Sequence, residues 1–115
     1  MGNNSIHAIM EDTIQKIKDQ GAARGIEVVE YTPAKILETT IKSPKIIIRL
    51  PRGCGQLRTP IMWCGYSKMS KNYVEFVYSL KLRFHNEVTQ ELLEKVLTSR
   101  YNAFAAWVNN SLLKE

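Results

Sequence analysis

From residue 73 to residue 85 apolar and polar side chains alternate almost without a break. Val74, Phe76, Tyr78, Leu80, Leu82 and Phe84 make one file. Glu75, Ser79, Lys81, Arg83 and His85 make the other, with Val77 its one apolar member. A period of two sends successive side chains to opposite faces of a strand, so one face belongs on a core and the other toward water or a partner. Thirteen residues is long for a strand, which predicts a bulge or bend within it. One strand cannot bury a face alone, so the rest of the chain must supply more strands and a covering layer.

Both ends of the chain supply that layer. Leu93, Val96, Leu97, Tyr101, Phe104, Val108 and Leu112 recur at helical spacing, and no Gly or Pro interrupts residues 90–113. The pattern predicts one helix of 24 residues, with a break near Ser99 and Arg100 as the alternative. Thr89 is suited to cap it, and Val88 and Leu93 are spaced to staple its entry. At the other end Ile6, Ile9, Met10, Ile14 and Ile17 predict a helix over residues 5–20. Asn4 or Ser5 would cap that helix, and Gly21 would supply a left-handed stop.

Shorter signals fill the middle. Residues 26–31 are rich in β-branched side chains and predict a strand. Thr32-Pro33 reads as a helix start, with a short helical turn over residues 34–38. A second strand is expected over residues 45–50, with Ile46, Ile48 and Leu50 on one side, and a third over 60–66, followed by a turn over 67–72. The expected fold is a single α+β domain over residues 1–115. It is two-layered, with a mostly antiparallel sheet of about four strands and the N-terminal helix and long C-terminal helix on one face.

Charge is distributed unevenly along this frame. The chain has 16 basic and 11 acidic residues, yet no acid lies between Glu38 and Glu75. Lys42, Lys45, Arg49, Arg52, Arg58, Lys68 and Lys71 all fall in that gap, so the net charge of +5 is a surplus in the middle against a slightly acidic remainder. Trp63, Tyr66 and Tyr73 are interleaved with these charges. Arg can grip phosphate through two parallel hydrogen bonds, and an aromatic ring can stack a base. The pattern suits nucleic acid or another phosphate-bearing ligand. The expected anion contacts are Arg49, Arg52, Arg58, Lys68, Lys71, Lys81 and Arg83, with Trp63, Tyr66 and Tyr73 as stacking residues. The ordinary alternative is a solvated basic face.

Catalytic patterns are weak. Cys54 and Arg58 are separated by three residues, too few for one loop to wrap a phosphate as phosphocysteine-forming phosphatases do. Gly53 and Gly55 follow neither the dinucleotide nor the nucleotide-triphosphate pattern, so no cofactor is expected. Glu27, Glu30 and Glu38 hint at a metal nuclease, but the strands that should carry the ligands have no acids. Cys54 and Cys64, with His7 and His85 far off, give no metal-site spacing. The two cysteines are expected as reduced thiols, a hairpin disulfide being the alternative.

The expectation is therefore a binding protein without enzymatic activity. The N-terminus lacks the order of a secretory signal and no apolar run would cross a bilayer, so a cytoplasmic protein with no membrane partner is expected. The alternative function is a protein-interaction or assembly subunit, such as a small viral or mobile-element protein that oligomerises or blocks a host factor. Leu92, Trp107 and Leu113 widen the apolar surface of the C-terminal helix, which points to a homodimer through that helix.

Overall fold

The structure, a computed structural model, describes residues 2–37, 40–52, 59, 60, 62–82 and 89–114, and the side chains of residues 6 onward among them. The stripe of Ile6, Met10, Ile14 and Ile17 forms the buried side of helix α1 (Gly2–Gly21). Its stop is not at Gly21, which keeps right-handed angles (φ −78°). The chain tightens into a 3-10 turn at Ala22–Arg24 and reverses at Gly25, which is left-handed (φ 76°). A side chain there would be strained in φ and would also meet the Pro51 ring.

Among the described residues six strands follow: β1 (Glu27–Thr32), β2 (Lys35–Leu37), β3 (Thr40–Lys42), β4 (Lys45–Pro51), β5 (Trp63–Met69) and β6 (Tyr73–Leu80). Four form one antiparallel sheet in the order β1-β4-β6-β5, and β2 and β3 form a separate hairpin. Lys35–Leu37 is thus a strand where a helical turn was expected. A local helix-start signal loses here to pairing, because Ile36 stands directly across from Ile41 and cross-strand β-branched pairs stabilise a hairpin.

Ile46, Ile48 and Leu50 all turn inward and are buried, as their alternation predicts. β6 stops at Leu80, short of the 13-residue strand expected. Its neighbours run out there: β4 begins opposite Ser79, just after Pro44, and β5 begins opposite Leu80. Phe84 and His85 lie outside the described residues. β5 begins three residues later than expected because a turn precedes it. Trp63 N–H donates to the Pro60 carbonyl (3.1 Å), and Met62 takes a positive φ of 67°. The following turn shrinks to residues 70–72, closed by Ser70 N–H to the Tyr73 carbonyl (2.9 Å).

Helix α2 (Gln90–Trp107) runs unbroken through Ser99 and Arg100 and ends in a π-helical turn, Val108–Leu112. The Thr89 hydroxyl accepts from Leu92 N–H at 3.2 Å, so the expected cap is formed. Val88, its expected staple partner, lies outside the described residues. Leu93, Leu97, Tyr101, Phe104, Val108 and Leu112 are buried. The fold is α+β, with both helices joined to one face of the four-stranded sheet through a core of Ile14, Ile17, Ile46, Ile48, Tyr78, Leu80, Leu97 and Phe104. Trp107 packs edge-on against Tyr78 (5.2 Å) and beside Phe104 (5.6 Å). Trp107 and Leu113 therefore pack within the chain, while Leu92 stays 42% exposed.

Strands β4 and β5 run parallel to each other, since both are antiparallel to β6. Arg52, after β4, and Met62, before β5, therefore lie at opposite ends of the sheet. Arg52 N–H reaches the Asn72 carbonyl (3.4 Å) at one end of the sheet. Thr59 lies over Gly65, so close that a Cβ on Gly65 would sit 2.5 Å from the Thr59 methyl and 3.0 Å from the Tyr78 ring. Thr59 therefore lies on the helix-bearing face, and only glycine at position 65 leaves room for it.

Candidate functional site

Register aligns four charged residues across the sheet, on the face turned away from the helices. Glu27 pairs with Arg49, Arg49 with Glu75, and Glu75 with Lys68, so the signs alternate from one edge to the other. Arg49 donates to the Glu75 carboxylate at 3.0 Å and lies 3.7 Å from Glu27. Its guanidinium also sits over the Tyr73 ring at 4.1 Å. The hydrogen bond to Glu75 chiefly, with Glu27 and Glu75 as nearby negative charges, holds Arg49 even more firmly protonated than usual against the opposing effect of burial. Two rows along the same face, Lys45 lies 3.9 Å from Glu30. A run that is acid-free in sequence is thus not acid-free in space. The acids of β1 and Glu75 of β6 answer Arg49 and Lys45.

The other expected residues divide by place. Trp63 is buried, tilted against Phe104 at 4.9 Å, with its indole N–H donating to the Arg100 carbonyl (3.3 Å). It is a core residue with no face to offer a base. Tyr66 is exposed on the strand pair β5–β6, and Tyr73 is half-buried beneath Arg49. Lys81 is exposed but lies past the far end of β6, with its N–H on the Met62 carbonyl (3.0 Å). Arg58 and Arg83 lie outside the described residues.

Three cations do gather. The Arg52–Asn72 backbone bond places exposed Arg52 beside the β5–β6 turn that carries exposed Lys71, and Lys68 stands on β5 just before it. None of the three has an ion pair among the described residues. The same end of the molecule receives Gly25 against Pro51, which brings Arg24 there from the other side. Arg24 donates to the Lys114 carbonyl (3.2 Å), so the chain's last turn is drawn in too. Arg24 and Lys114 lie in the acidic remainder of the sequence and carried no signal of this placement. What joins them to Arg52 is the packing of Gly25 on Pro51, a contact between residues far apart in the chain.

A second polar group lies on the opposite side of the core. The Tyr31 and Tyr101 hydroxyls and His7 Nδ1 are buried, and the His7 and Tyr101 rings are 6.1 Å apart. Burial, with the nearby Glu11 charge adding, pushes the Tyr31 hydroxyl up to about 12. Burial likewise raises Tyr101, with Tyr31 adding and a backbone hydrogen bond from Ala34 opposing. A tyrosine held neutral in this way is a poor nucleophile and a poor base at neutral pH. Cys64 is a free, exposed thiol, and Cys54 lies outside the described residues. Among the described residues no three His, Cys, Asp or Glu side chains are placed to hold a metal ion, and no helix is long and apolar enough to cross a membrane. No protein-family model matches the chain, and no curated protein or solved structure compared with it matches either.

Proposed function

We propose that this chain is a non-enzymatic binding module for a phosphate-bearing polyanion, nucleic acid first, which it meets with the basic end built by Arg52, Lys68 and Lys71. The observation that carries the reading is the Arg52–Asn72 backbone bond, which sets Arg52 beside Lys71 with no acid paired to either among the described residues. Arg49 and Lys45 are neutralised in place and serve the sheet. Arg52 supplies a fork for phosphate oxygens, while the two lysines act as compact point charges. Lys81, at the far end of β6, belongs to a different surface. An exposed free thiol at Cys64 supports a reducing, cytoplasmic setting.

The test is the salt dependence of binding to single-stranded and duplex oligonucleotides. Each phosphate neutralised releases counterions, so the log–log slope is about −0.9 per contact on duplex and about −0.7 on single strands. Arg52→Ala with Lys71→Ala is expected to weaken binding and flatten the slope by roughly two contacts. Lys45→Ala is expected to leave the slope unchanged, because Glu30 already holds that charge. Absence of binding at low salt, or a slope indifferent to Arg52 and Lys71, refutes the reading.

A further inference from the structure

The two edges of the sheet are not alike. β1 is blunted: its register slips between Val28 and Glu30, and Glu27 and Glu30 stand on it as charges. β5 has no slip from Trp63 to Met69, no proline and a single charge, Lys68. Beyond Trp63 every residue of it is exposed. Three of the large apolar side chains most open to water lie on it or just before it: Met62 at 44%, Tyr66 at 58% and Met69 at 69%. An even edge strand with one charge and exposed apolar side chains is a template for another strand.

Hydrogen-bond parity shows what that edge offers. Ser70 N–H bonds the Tyr73 carbonyl and Lys81 N–H bonds the Met62 carbonyl, and both pairs continue the β5–β6 register. Bonded and non-bonded pairs alternate along an antiparallel ladder. The even-numbered residues of β5 therefore face β6, and Trp63, Gly65, Ser67 and Met69 aim their N–H and C=O groups outward. Trp63 N–H points away from β6 and is taken by Pro60, as this parity requires. That leaves both backbone groups of Gly65, Ser67 and Met69, and the Trp63 carbonyl, along an edge with no strand partner among the described residues.

We infer that this edge is a site for a second copy of the same chain, whose β5 pairs antiparallel about a two-fold axis through Tyr66. In that register Gly65 and Ser67 of one copy exchange both backbone bonds with Ser67 and Gly65 of the other. Met69 N–H meets the free Trp63 carbonyl, and the occupied Trp63 N–H marks the natural end of the ladder. The side chains agree with the backbone. Lys68 faces Cys64 of the second copy, so no like charges stand opposite, and Tyr66 meets Tyr66 in a non-bonded pair, where side chains come closest. Met69 reaches the helix side of the other copy next to Trp63 and Pro60. There Thr59, Pro60, Ala103, Ala106, Trp107 and Asn110 line an apolar groove of about 400 Å³. The result is one continuous sheet with the helices of both copies on the same side. It uses Lys68 of the basic end but neither Arg52 nor Lys71, and it touches α2 only at the groove beside Ala103, Ala106 and Trp107.

One strand pair is a small interface, so association in the range of about 10 μM is expected. Sedimentation equilibrium across that range should show a monomer–dimer equilibrium. Raising the salt should strengthen it, because two chains of net charge +5 repel each other. Polyanion binding responds to salt in the opposite sense, so the two readings fail separately. Ser67→Pro removes an outward N–H and leaves the bonds to β6 intact; it should give a folded monomer. Tyr66→Lys and Tyr66→Glu each set a charge against its own copy and should each weaken the dimer at least tenfold, while mixing the two variants should restore it. That mixing experiment decides the axis even if Ser67→Pro fails to fold. A wild-type protein that stays monomeric to millimolar concentration overturns the proposal. So does a dimer indifferent to Tyr66→Glu, or loss with one sign of charge and not the other, which is the behaviour of an edge that takes a charged peptide.

Discussion

Met62 is the described non-glycine residue with positive φ, and its side chain is 44% exposed. Its backbone does the work: the carbonyl takes Lys81 N–H while the turn swings Trp63 into the core. A left-handed L-residue costs on the order of 1 kcal/mol. Met62→Gly is therefore expected to stabilise the fold by about 0.5 kcal/mol, net of the extra freedom glycine has when unfolded, raising the urea midpoint at unchanged slope. A loss of stability would mean that the side chain packs more than its exposure implies. The same residue explains one misreading from sequence. Methionine carries no signature of a left-handed turn, so the strand seemed to begin at Pro60. Glycine at that position would have announced it.

At the level of elements, legibility followed how local the cause was. The stripes of both helices and the inward file Ile46, Ile48, Leu50 are set by spacing within a few residues, and they read correctly. Thr89 is the same kind of case: its hydroxyl holds Leu92 N–H, and Thr89→Ala is expected to cost about 1 kcal/mol in thermal or urea unfolding. A change well under a few tenths of that would show the first turn of α2 to be held by tertiary contacts instead. Lys35–Leu37 read wrongly because its partner strand, not its own propensity, decides it. The candidate site was the least legible part. Sequence showed a long acid-free run, but strand pairing lays Glu27, Glu30 and Glu75 beside its strongest members. Among the described residues of the run, Arg52, Lys68 and Lys71, and Lys42 on the separate hairpin, have no ion pair, and the packing of Gly25 on Pro51 that brings Arg24 toward Arg52 is a contact no local pattern encodes.

Taken whole, the molecule buries its tyrosines in a way that ties stability to alkaline pH. Tyr31 is raised to about 12, and Tyr78 and Tyr101 are raised further, burial being the main cause in each. In the unfolded chain these hydroxyls ionise near 10. Folded values above unfolded ones mean that their contribution is complete below about pH 10 and is lost as pH climbs through about 12 and beyond. Phenolate absorbance is expected to show these three ionising together with loss of the near-ultraviolet circular dichroism signal, and ionisation ahead of unfolding would contradict their burial. The parallel placement of β4 and β5 has a further consequence, for the order of assembly. β5 and β6 form a hairpin closed by the turn at residues 70–72, whereas β4 and β6 are separated in sequence by residues 52–72. Local closures are fast and distant ones slow. The hairpin should therefore form early, and the β4–β6 seam should zip late, when Thr59 settles over Gly65. Until it does, the chain exposes both the future centre of its sheet and its open edge, and self-association in that interval competes directly with folding.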